Sequence, residues 1–293
     1  MFDSIEDTRE LLAREQYYAD PGLCTSVFLA LRMEKALFLE GEPGVGKTEV
    51  GRVLAAILEA PLIRLQCYEG LDVGQAVYEW DYPRQLLEIQ GRASAVERVD
   101  TSDIFSEDFL IRRPLLQAID RSHARAPVLL IDELDRADEE FESFLLELLG
   151  DFQVTVPELG TFRAEHRPVT IVTSNRTREI HDALKRRCIY HWIDYPTFER
   201  ELEILQRKVP EIETALVRQV VAFVQRVRRL ELYKHPGVSE TLDWARALTH
   251  LGADRLDPGI VDRTLGLLLK YQDDVEALRG APAAAVLEEV AQG

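Results

Sequence analysis

The fold of this chain is decided by the stretch Gly41-Glu42-Pro43-Gly44-Val45-Gly46-Lys47-Thr48, which fits the pattern G-x-x-x-x-G-K-[S/T] without a mismatch. A short apolar run, ALFLE, precedes it, and a helical stretch from Lys47 to about Leu58 follows it. Glycines let successive backbone N–H groups turn toward a phosphate, and the start of a helix favours the same anion. The sequence therefore predicts a phosphate-binding loop between a buried strand and a helix, with Glu49 beside it on the helix.

A second apolar run ends in the acidic groups that a bound nucleotide needs. Val128–Ile131 is followed by Asp132 and Glu133, and ligands bind at the carboxyl ends of parallel strands. We expect Lys47 to contact the β- and γ-phosphates of ATP, and Thr48 and Asp132 to ligate Mg²⁺. Glu133 is predicted to orient and deprotonate the attacking water. Paired acids after a strand can also cap a helix, an alternative that the loop upstream disfavours. The chain lacks the N-K-x-D pattern of GTPases.

Short apolar runs alternate with helical stretches up to about residue 195, which predicts a parallel sheet covered by helices. The clearest helix is Asp138–Leu149. The segment 92–108 is polar enough to form a mobile loop. The five predicted strands are Ala36–Leu39, Leu62–Cys67, Val128–Ile131, Val169–Thr173 and Cys188–Ile193.

After Tyr195-Pro196 the strand pattern stops and only helices are predicted. We therefore predict an α/β nucleotide-binding domain over 1–196, a helical lid domain over 197–280 and an alanine-rich C-terminal tail over 281–293 that is either a short helix or frayed. The predicted lid helices are 198–207, 211–231, 238–250 and 260–279.

The composition excludes several classes of protein. With 35 Lys+Arg against 52 Asp+Glu, the net charge is −17, which disfavours generic binding of nucleic acid. The best basic cluster, Arg226, Arg228 and Arg229, is predicted to be a solvated helix face, with a partner site as the alternative. Three scattered cysteines, an acidic N-terminus and the lack of a long apolar run predict a reduced, cytoplasmic protein without membrane insertion.

Taken together, these motifs resemble the MoxR family of AAA+ ATPases over residues 15–275. The resemblance is most specific in 41–48, 129–137 and 174–196. It implies an AAA+ P-loop NTPase, a parallel five-stranded αβα sandwich followed by a small all-helical lid domain. The stretch TSNRTREIHDALKRRCIYHWIDYP (173–196) is most similar to the branch associated with carbon monoxide dehydrogenase and other molybdenum hydroxylases.

The resemblance also implies roles for polar residues near the end of the sheet. Asn175 matches the polar sensor beside the γ-phosphate, although an Asn after a strand is more often a turn residue. Arg187, ahead of Arg186, matches the arginine finger that acts on the neighbouring subunit's nucleotide. Basic residues that cap a helix are the alternative. A finger acting between subunits implies a ring, hexameric by resemblance, in which Arg136 is a weaker candidate for an intersubunit contact.

One position departs from the family pattern. Thr241 stands where the family usually carries the sensor arginine of the lid, and Arg246, on a later turn, is a disfavoured candidate to replace it. Trp80 and Tyr82 could line a pore of the ring or pack in a loop.

The function implied by the resemblance is ATP hydrolysis that drives remodelling of a client protein. The client would be a molybdenum-containing hydroxylase that receives its metal cofactor, and a protein with a von Willebrand factor A domain would be the adaptor. Two alternatives stay open: an AAA+ motor acting on nucleic acid, and a slow, nucleotide-gated binding module.

Overall fold

A computed structural model describes residues 2–94 and 100–292, which divide into two compact units. The first unit contains the described residues of Met1–Leu11, Ala19–Glu40 and Thr48–Trp192. The second contains those of Leu12–Tyr18, Gly41–Lys47 and Ile193–Gly293. The predicted domain boundaries after residues 196 and 280 stay predictions.

The helices and strands are numbered along the chain. The helices are α1 (Ile5–Arg14), α2 (Pro21–Met33), α3 (Lys47–Ile57), α4 (Val73–Ala76), α5 (Tyr82–Ser94), α6 (Thr101–Ile104), α7 (Pro114–Ala118), α8 (Glu139–Asp151), α9 (Asp182–Lys185), α10 (Phe198–Lys208), α11 (Thr214–Val227), α12 (Val238–His250), α13 (Pro258–Leu268), α14 (Gln272–Leu278) and α15 (Ala281–Gln292). The strands are β1 (Ala36–Gly41), β2 (Leu62–Gln66), β3 (Tyr78–Trp80), β4 (Leu110–Arg112), β5 (Val128–Asp132), β6 (Gln153–Val156), β7 (Gly160–Arg163), β8 (Val169–Ser174) and β9 (Cys188–Ile193). Two 3-10 turns span Glu107–Phe109 and Leu134–Arg136.

The main sheet has five strands in the order β2-β5-β8-β1-β9. Strands β2, β5, β8 and β1 pair in parallel, with Gln66 opposite Asp132 and Glu40 opposite Ser174. Every residue of β1 and β5 is buried, as expected for inner strands with helices on both faces. The predicted α/β fold and its five strands are confirmed. This order brings the ends of β2, β5 and β8 side by side.

The second unit has an all-helical core. Residues of α10–α15 share one hydrophobic cluster that includes the buried Trp244. The segment predicted as a C-terminal tail forms the helix α15, in line with its short-helix alternative, and Ala283 and Val286 of α15 belong to this core. The single predicted helix 260–279 is also wrong, since Leu269 is extended and separates α13 from α14. The break lets Asp274 accept hydrogen bonds from the N–H groups of Tyr233 and Lys234.

The predicted solvated face of α11 is wrong at Arg228. Its side chain is only 6% exposed and donates two hydrogen bonds, of 2.6 and 2.7 Å, to the buried carboxylate of Glu201. Arg226 is half-exposed and lies 3.4 Å from Glu289. The charges of these arginines are therefore partly neutralised within the chain.

Two small antiparallel sheets, β3–β4 and β6–β7, were not predicted. They meet in a cluster where Trp80 is buried against Phe109 and Val156, which supports the packed alternative for Trp80. Tyr82 is exposed. Of the predicted mobile loop 92–108, residues 95–99 lie outside the described ranges. The rest is not a continuous loop, because it contains the end of α5, all of α6 and a 3-10 turn.

Candidate functional site

The loop Gly41–Lys47 is held by its own lysine. Lys47 is buried, and its Nζ donates hydrogen bonds of 2.7 Å to the carbonyl oxygens of Gly41 and Glu42. Gly44 and Gly46 adopt φ angles of +78° and +96°, which disfavour residues with a Cβ. The sequence places glycine where the loop turns and keeps the lysine charge inside the loop, as a phosphate-binding loop requires.

At the start of α3, Thr48 meets the end of strand β5. The Thr48 hydroxyl donates a hydrogen bond of 2.9 Å to Oδ1 of Asp132, and Thr173 on β8 donates one of 2.6 Å to the same oxygen. Asp132 is 1% exposed. A hydroxyl and a carboxylate oxygen are ligands that Mg²⁺ prefers. The pair predicted to hold the metal is therefore brought together by the fold, and its chemistry fits that ion.

The other oxygen of Asp132 has a cationic partner that the sequence interpretation missed. Arg64, on the neighbouring strand β2, donates to Oδ2 from Nε at 3.0 Å and from Nη2 at 2.5 Å. Gln66 lies two residues further along the strand, and its side chain accepts a hydrogen bond of 2.6 Å from Arg64 Nη2. Both residues point to one face because side chains alternate along a strand. This alternation, beside a strand that ends in two acids, is the signal that could have identified them.

Glu133 is directed away from Asp132 by the backbone. It adopts a left-handed conformation (φ 55°, ψ 50°), and its N–H donates to the Thr173 hydroxyl at 2.9 Å. Its Oε2 accepts a hydrogen bond of 3.1 Å from Gln66 and lies 2.8 Å from Nε of Arg136. The two adjacent carboxylates thus have separate partners, although the Thr173 hydroxyl also accepts from the Glu133 backbone. Arg136, a candidate for an intersubunit contact, pairs with Glu133 of its own chain.

The turn that carries Asn175 is fixed by a buried carboxylate. Asp135 accepts hydrogen bonds from the N–H groups of Asn175 (3.1 Å) and Thr177 (2.9 Å), and from the Thr177 hydroxyl (2.7 Å). Burial alone would raise the pKa of Asp135, but these hydrogen bonds outweigh it and lower the pKa. Asp135, which the sequence interpretation did not single out, therefore places Asn175 at the end of β8, next to β5.

The two finger candidates lie at the end of α9 and are exposed. Arg186 is 3.8 Å from Asp182, and Arg187 donates a hydrogen bond of 3.0 Å to the carbonyl of Ala183. The bond to Ala183 is a helix-capping contact, in line with the alternative interpretation of Arg187. Both side chains are nevertheless accessible from outside the chain, so their role stays a prediction.

Thr241, at the position of the family's sensor arginine, lies in the core of the second unit. It is fully buried, and its hydroxyl donates to the carboxylate of Glu201 at 3.0 Å and to the Gly237 carbonyl at 2.9 Å. Arg246 is exposed and lies 3.3 Å from Asp243. The helix α12 that carries both residues contacts the phosphate loop through its backbone, since Val238 and Ser239 donate to the Gly44 carbonyl at 3.0 and 3.2 Å.

Within the described ranges, every helix falls short of the length and apolarity that a bilayer span requires.

Comparison with known proteins places these features in a family. The chain is 22% identical to "Uncharacterized protein SH1500" of Staphylococcus haemolyticus (strain JCSC1435), over 82% of this chain and 86% of that protein. Among solved structures it is similar to the Thermotoga maritima RuvB Holliday junction branch migration motor, with a TM-score of 0.46 and 20% identity over 90% of this chain and 69% of that one. A point mutant of the same RuvB gives a TM-score of 0.49 and 20% identity, over 93% of this chain and 72% of that one. The sequence profile of the AAA domain (dynein-related subfamily) matches residues 36–188, more than half of the chain. The chain therefore belongs to the AAA domain family, in its dynein-related subfamily.

Proposed function

We propose that this protein is an ATPase whose hydrolysis cycle remodels a client protein. The observation that carries the ATPase assignment is the set of contacts around Asp132. Thr48 donates a hydrogen bond to this carboxylate, and Glu133 is turned away from it. Hydrolysis of a nucleoside triphosphate needs a hydroxyl and a carboxylate that hold the metal ion, and a second carboxylate, held separately, that activates the water.

Each residue has a distinct task in this proposal. Bound Mg²⁺ would neutralise charge on the phosphates of ATP, and Thr48 and Asp132 would hold it. Lys47 binds the phosphates, and Glu133 takes a proton from the attacking water. Asn175 orients the γ-phosphate with its amide, and Arg187, ahead of Arg186, acts on the nucleotide of the next subunit in a hexameric ring.

The assignment to the MoxR family, and to its molybdenum hydroxylase branch, belongs to this proposal. The segments 129–137 and 173–196 support it by resemblance. Protein remodelling is favoured over action on nucleic acid because the chain carries a charge of −17, and because Arg228 of the best basic cluster is buried against Glu201.

Nucleotide binding is tested with Lys47→Ala and, as a matched control, with Lys35→Ala, which removes an exposed lysine. Lys47→Ala should lose most of its ATP affinity because the loop loses its buried positive charge, whereas Lys35→Ala should bind ATP like the wild type. Equal affinities in the two variants would remove the basis of the ATPase assignment.

The remodelling role is tested by capture of partners. Glu133→Gln should retain ATP and hold its client, so a pull-down with ATP should enrich a metalloenzyme of the molybdenum hydroxylase type and a protein with a von Willebrand factor A domain. The same pull-down with ADP is the control. Stimulation of ATP hydrolysis by DNA or RNA, without client capture, would instead favour a nucleic-acid motor.

A further inference from the structure

Arg64 is the charged partner of Asp132, the carboxylate proposed to hold the metal ion. Its guanidinium makes a two-nitrogen contact with Oδ2 of Asp132, at 3.0 and 2.5 Å, while Oδ1 is taken by the hydroxyls of Thr48 and Thr173. Both oxygens of the carboxylate are therefore engaged within the chain. Arg64 supplies the positive charge in this set of three partners.

The charge balance explains why a cation is needed there. The side chain of Asp132 is 2% exposed, and a buried carboxylate without a compensating charge is costly. Two hydroxyls donate hydrogen bonds but bring no net charge. Arg64 compensates the negative charge of Asp132, yet its own side chain is 42% exposed. It lies on the edge strand β2, so it can leave the carboxylate for water without itself being buried.

We propose that Arg64 is the resident counter-cation of Asp132, and that Mg²⁺ displaces it when Mg·ATP binds. A guanidinium and a divalent metal ion beside the same buried carboxylate repel each other, so the two cations occupy it in alternation. The proposal rests on the nucleotide site proposed above, and it assigns to Arg64 a positioning role at that site.

Displacement of Arg64 from Asp132 would also affect Glu133, because Gln66 contacts both Arg64 and Glu133. Nη2 of Arg64 also donates to Oε1 of Gln66 at 2.6 Å, which leaves the Nε2 of that amide for Oε2 of Glu133 at 3.1 Å. When Arg64 leaves Asp132, the Gln66 amide loses one of the partners that fix its orientation, and keeps the 3.5 Å bond from its Nε2 to the Cys67 carbonyl. Arrival of the metal at Asp132 thereby loosens one of the two contacts that hold Glu133.

The test compares ATP affinity with and without metal in Arg64→Gln. A non-hydrolysable ATP analogue is titrated into the full chain by equilibrium fluorescence, once in excess Mg²⁺ and once in EDTA. Arg125→Gln is the matched control, because it removes an exposed arginine 3.5 Å from Glu59 in the same unit and leaves Asp132 untouched.

Without metal, the variant's bare carboxylate repels the phosphates, so the Kd in EDTA should rise by about fivefold or more. In Mg²⁺ the metal neutralises Asp132 in both proteins, so the Kd should change by less than about twofold. Arg64→Lys keeps a charge, and it should keep the affinity in EDTA within about twofold of wild type.

Three results would overturn the inference. An equal loss of affinity in both buffers would mean that Arg64 attracts phosphates without exchanging with the metal. No loss of affinity in either buffer would mean that the contact between Arg64 and Asp132 is an ordinary ion pair without a role in nucleotide binding. If Arg64→Gln does not fold, a clear loss of affinity in EDTA for a folded Arg64→Lys contradicts the charge argument. Failure of the wild type to bind the analogue at all would refute the proposed function instead.

Discussion

At the scale of single residues, the backbone conformation of Glu133 directs its carboxylate away from that of the preceding residue, Asp132. The left-handed conformation of Glu133 ends β5 and sends its side chain to Gln66 and Arg136, while Asp132 stays with Thr48 and Thr173. For a residue with a Cβ, this conformation costs about 1 kcal/mol or more. The bond from the Glu133 N–H to Thr173 offsets part of that cost, and the result is a pair of acids that can take different tasks.

A first prediction separates those tasks. Glu133→Gln should bind Mg·ATP like the wild type, because Thr48 and Asp132 are untouched, but should hydrolyse it at least ~100-fold more slowly. Glu140→Gln, which removes an exposed acid at the start of α8, should keep the wild-type rate. Phosphate release under saturating Mg·ATP measures both. A near wild-type rate in Glu133→Gln would disprove its assignment as the base.

The two cysteines nearest the sheet give a second prediction. Burial raises the pKa of the Cys67 thiol to about 12, helped by the nearby charges of Asp132 and Asp135, and burial likewise raises the pKa of Cys188 to about 12. Both pKa values lie above the ordinary value, so at about pH 8.5 these side chains remain neutral thiols in the folded protein.

Alkylation by iodoacetamide at about pH 8.5 should therefore be slow at both positions in the folded protein and fast in denaturant. Mass spectrometry of peptides that contain Cys67 and Cys188 reads out each site. Rapid labelling of either one under native conditions would contradict its burial.

At the scale of elements, the start of α12 is packed directly on the phosphate loop. Val238 and Ser239 donate to the carbonyl of Gly44, and an added Cβ on Gly237 would lie 2.8 Å from the carbonyl oxygen of Pro43 and 2.9 Å from Cα of Gly44. At such distances a side chain fits only if the loop or α12 shifts. Because Thr241 is turned into the core, this backbone contact is the route by which we expect the state of the loop to reach the predicted lid helices.

A third prediction follows for Gly237→Ala. Its φ of −81° suits alanine, so any effect comes from the close approach to the loop. The methyl group must push the loop and α12 apart, which should cost about 1–3 kcal/mol of stability and weaken ATP binding. Gly266→Ala in α13 is the matched control: its Cβ meets nothing within 4 Å, and it should stabilise the protein by about 0.5–1 kcal/mol.

Thermal unfolding measures the stability of the two alanine variants, and ATP titrations measure their affinity. An unchanged melting temperature and affinity in Gly237→Ala would show that α12 does not constrain the loop.

The strands were predictable from the sequence because the inner ones are buried on both faces and appear as unbroken apolar runs. All five sheet strands lie within two residues of their predicted ends. The small sheets β3–β4 and β6–β7 have strands of only three or four residues, too short for a periodicity to emerge. The break after α13 was missed for another reason. It carries no glycine or proline and depends on the contacts of Asp274 with a distant turn.

The candidate site was predictable where a local motif marks it. The phosphate loop and the Asp132–Glu133 pair each have a sequence pattern, and the fold brings Thr48 to Asp132 as expected. Arg64, Gln66 and Asp135 have no such pattern. Their importance comes from strand order and register, which put Gln66 opposite Asp132, and from long-range hydrogen bonds that one sequence does not reveal.

At the scale of the whole molecule, the charge of −17 must be reconciled with the proposed assembly into a ring. Like-charged subunits repel, and this repulsion is weakened by salt. Exposed arginines that face a neighbour's acidic phosphates would counter it locally. Arg186 and Arg187 are exposed at the end of α9, so nucleotide between subunits could supply part of the attraction that holds the ring together.

The last prediction tests the ring and the finger together. An Arg187→Ala subunit keeps its own loop, Asp132 and Glu133, and lacks only what it lends to the next subunit. A Glu133→Gln subunit has the opposite defect, because its own site is inactive but its arginine is intact. Rings made of either variant alone should be nearly inactive, since fingers of this type contribute about 10³-fold or more to the rate.

Mixed rings should regain activity wherever a complete site of an Arg187→Ala subunit receives the arginine of a Glu133→Gln neighbour. The two proteins are mixed, subunit exchange is confirmed by fluorescence energy transfer between labelled subunits, and phosphate release is compared with that of the unmixed proteins. Mixing Glu133→Gln with Arg186→Ala in the same way shows whether Arg186 contributes. If subunits exchange and mixing with Arg187→Ala restores nothing, Arg187 is a cap of α9, as its bond to the Ala183 carbonyl already allows, and the shared-site mechanism fails.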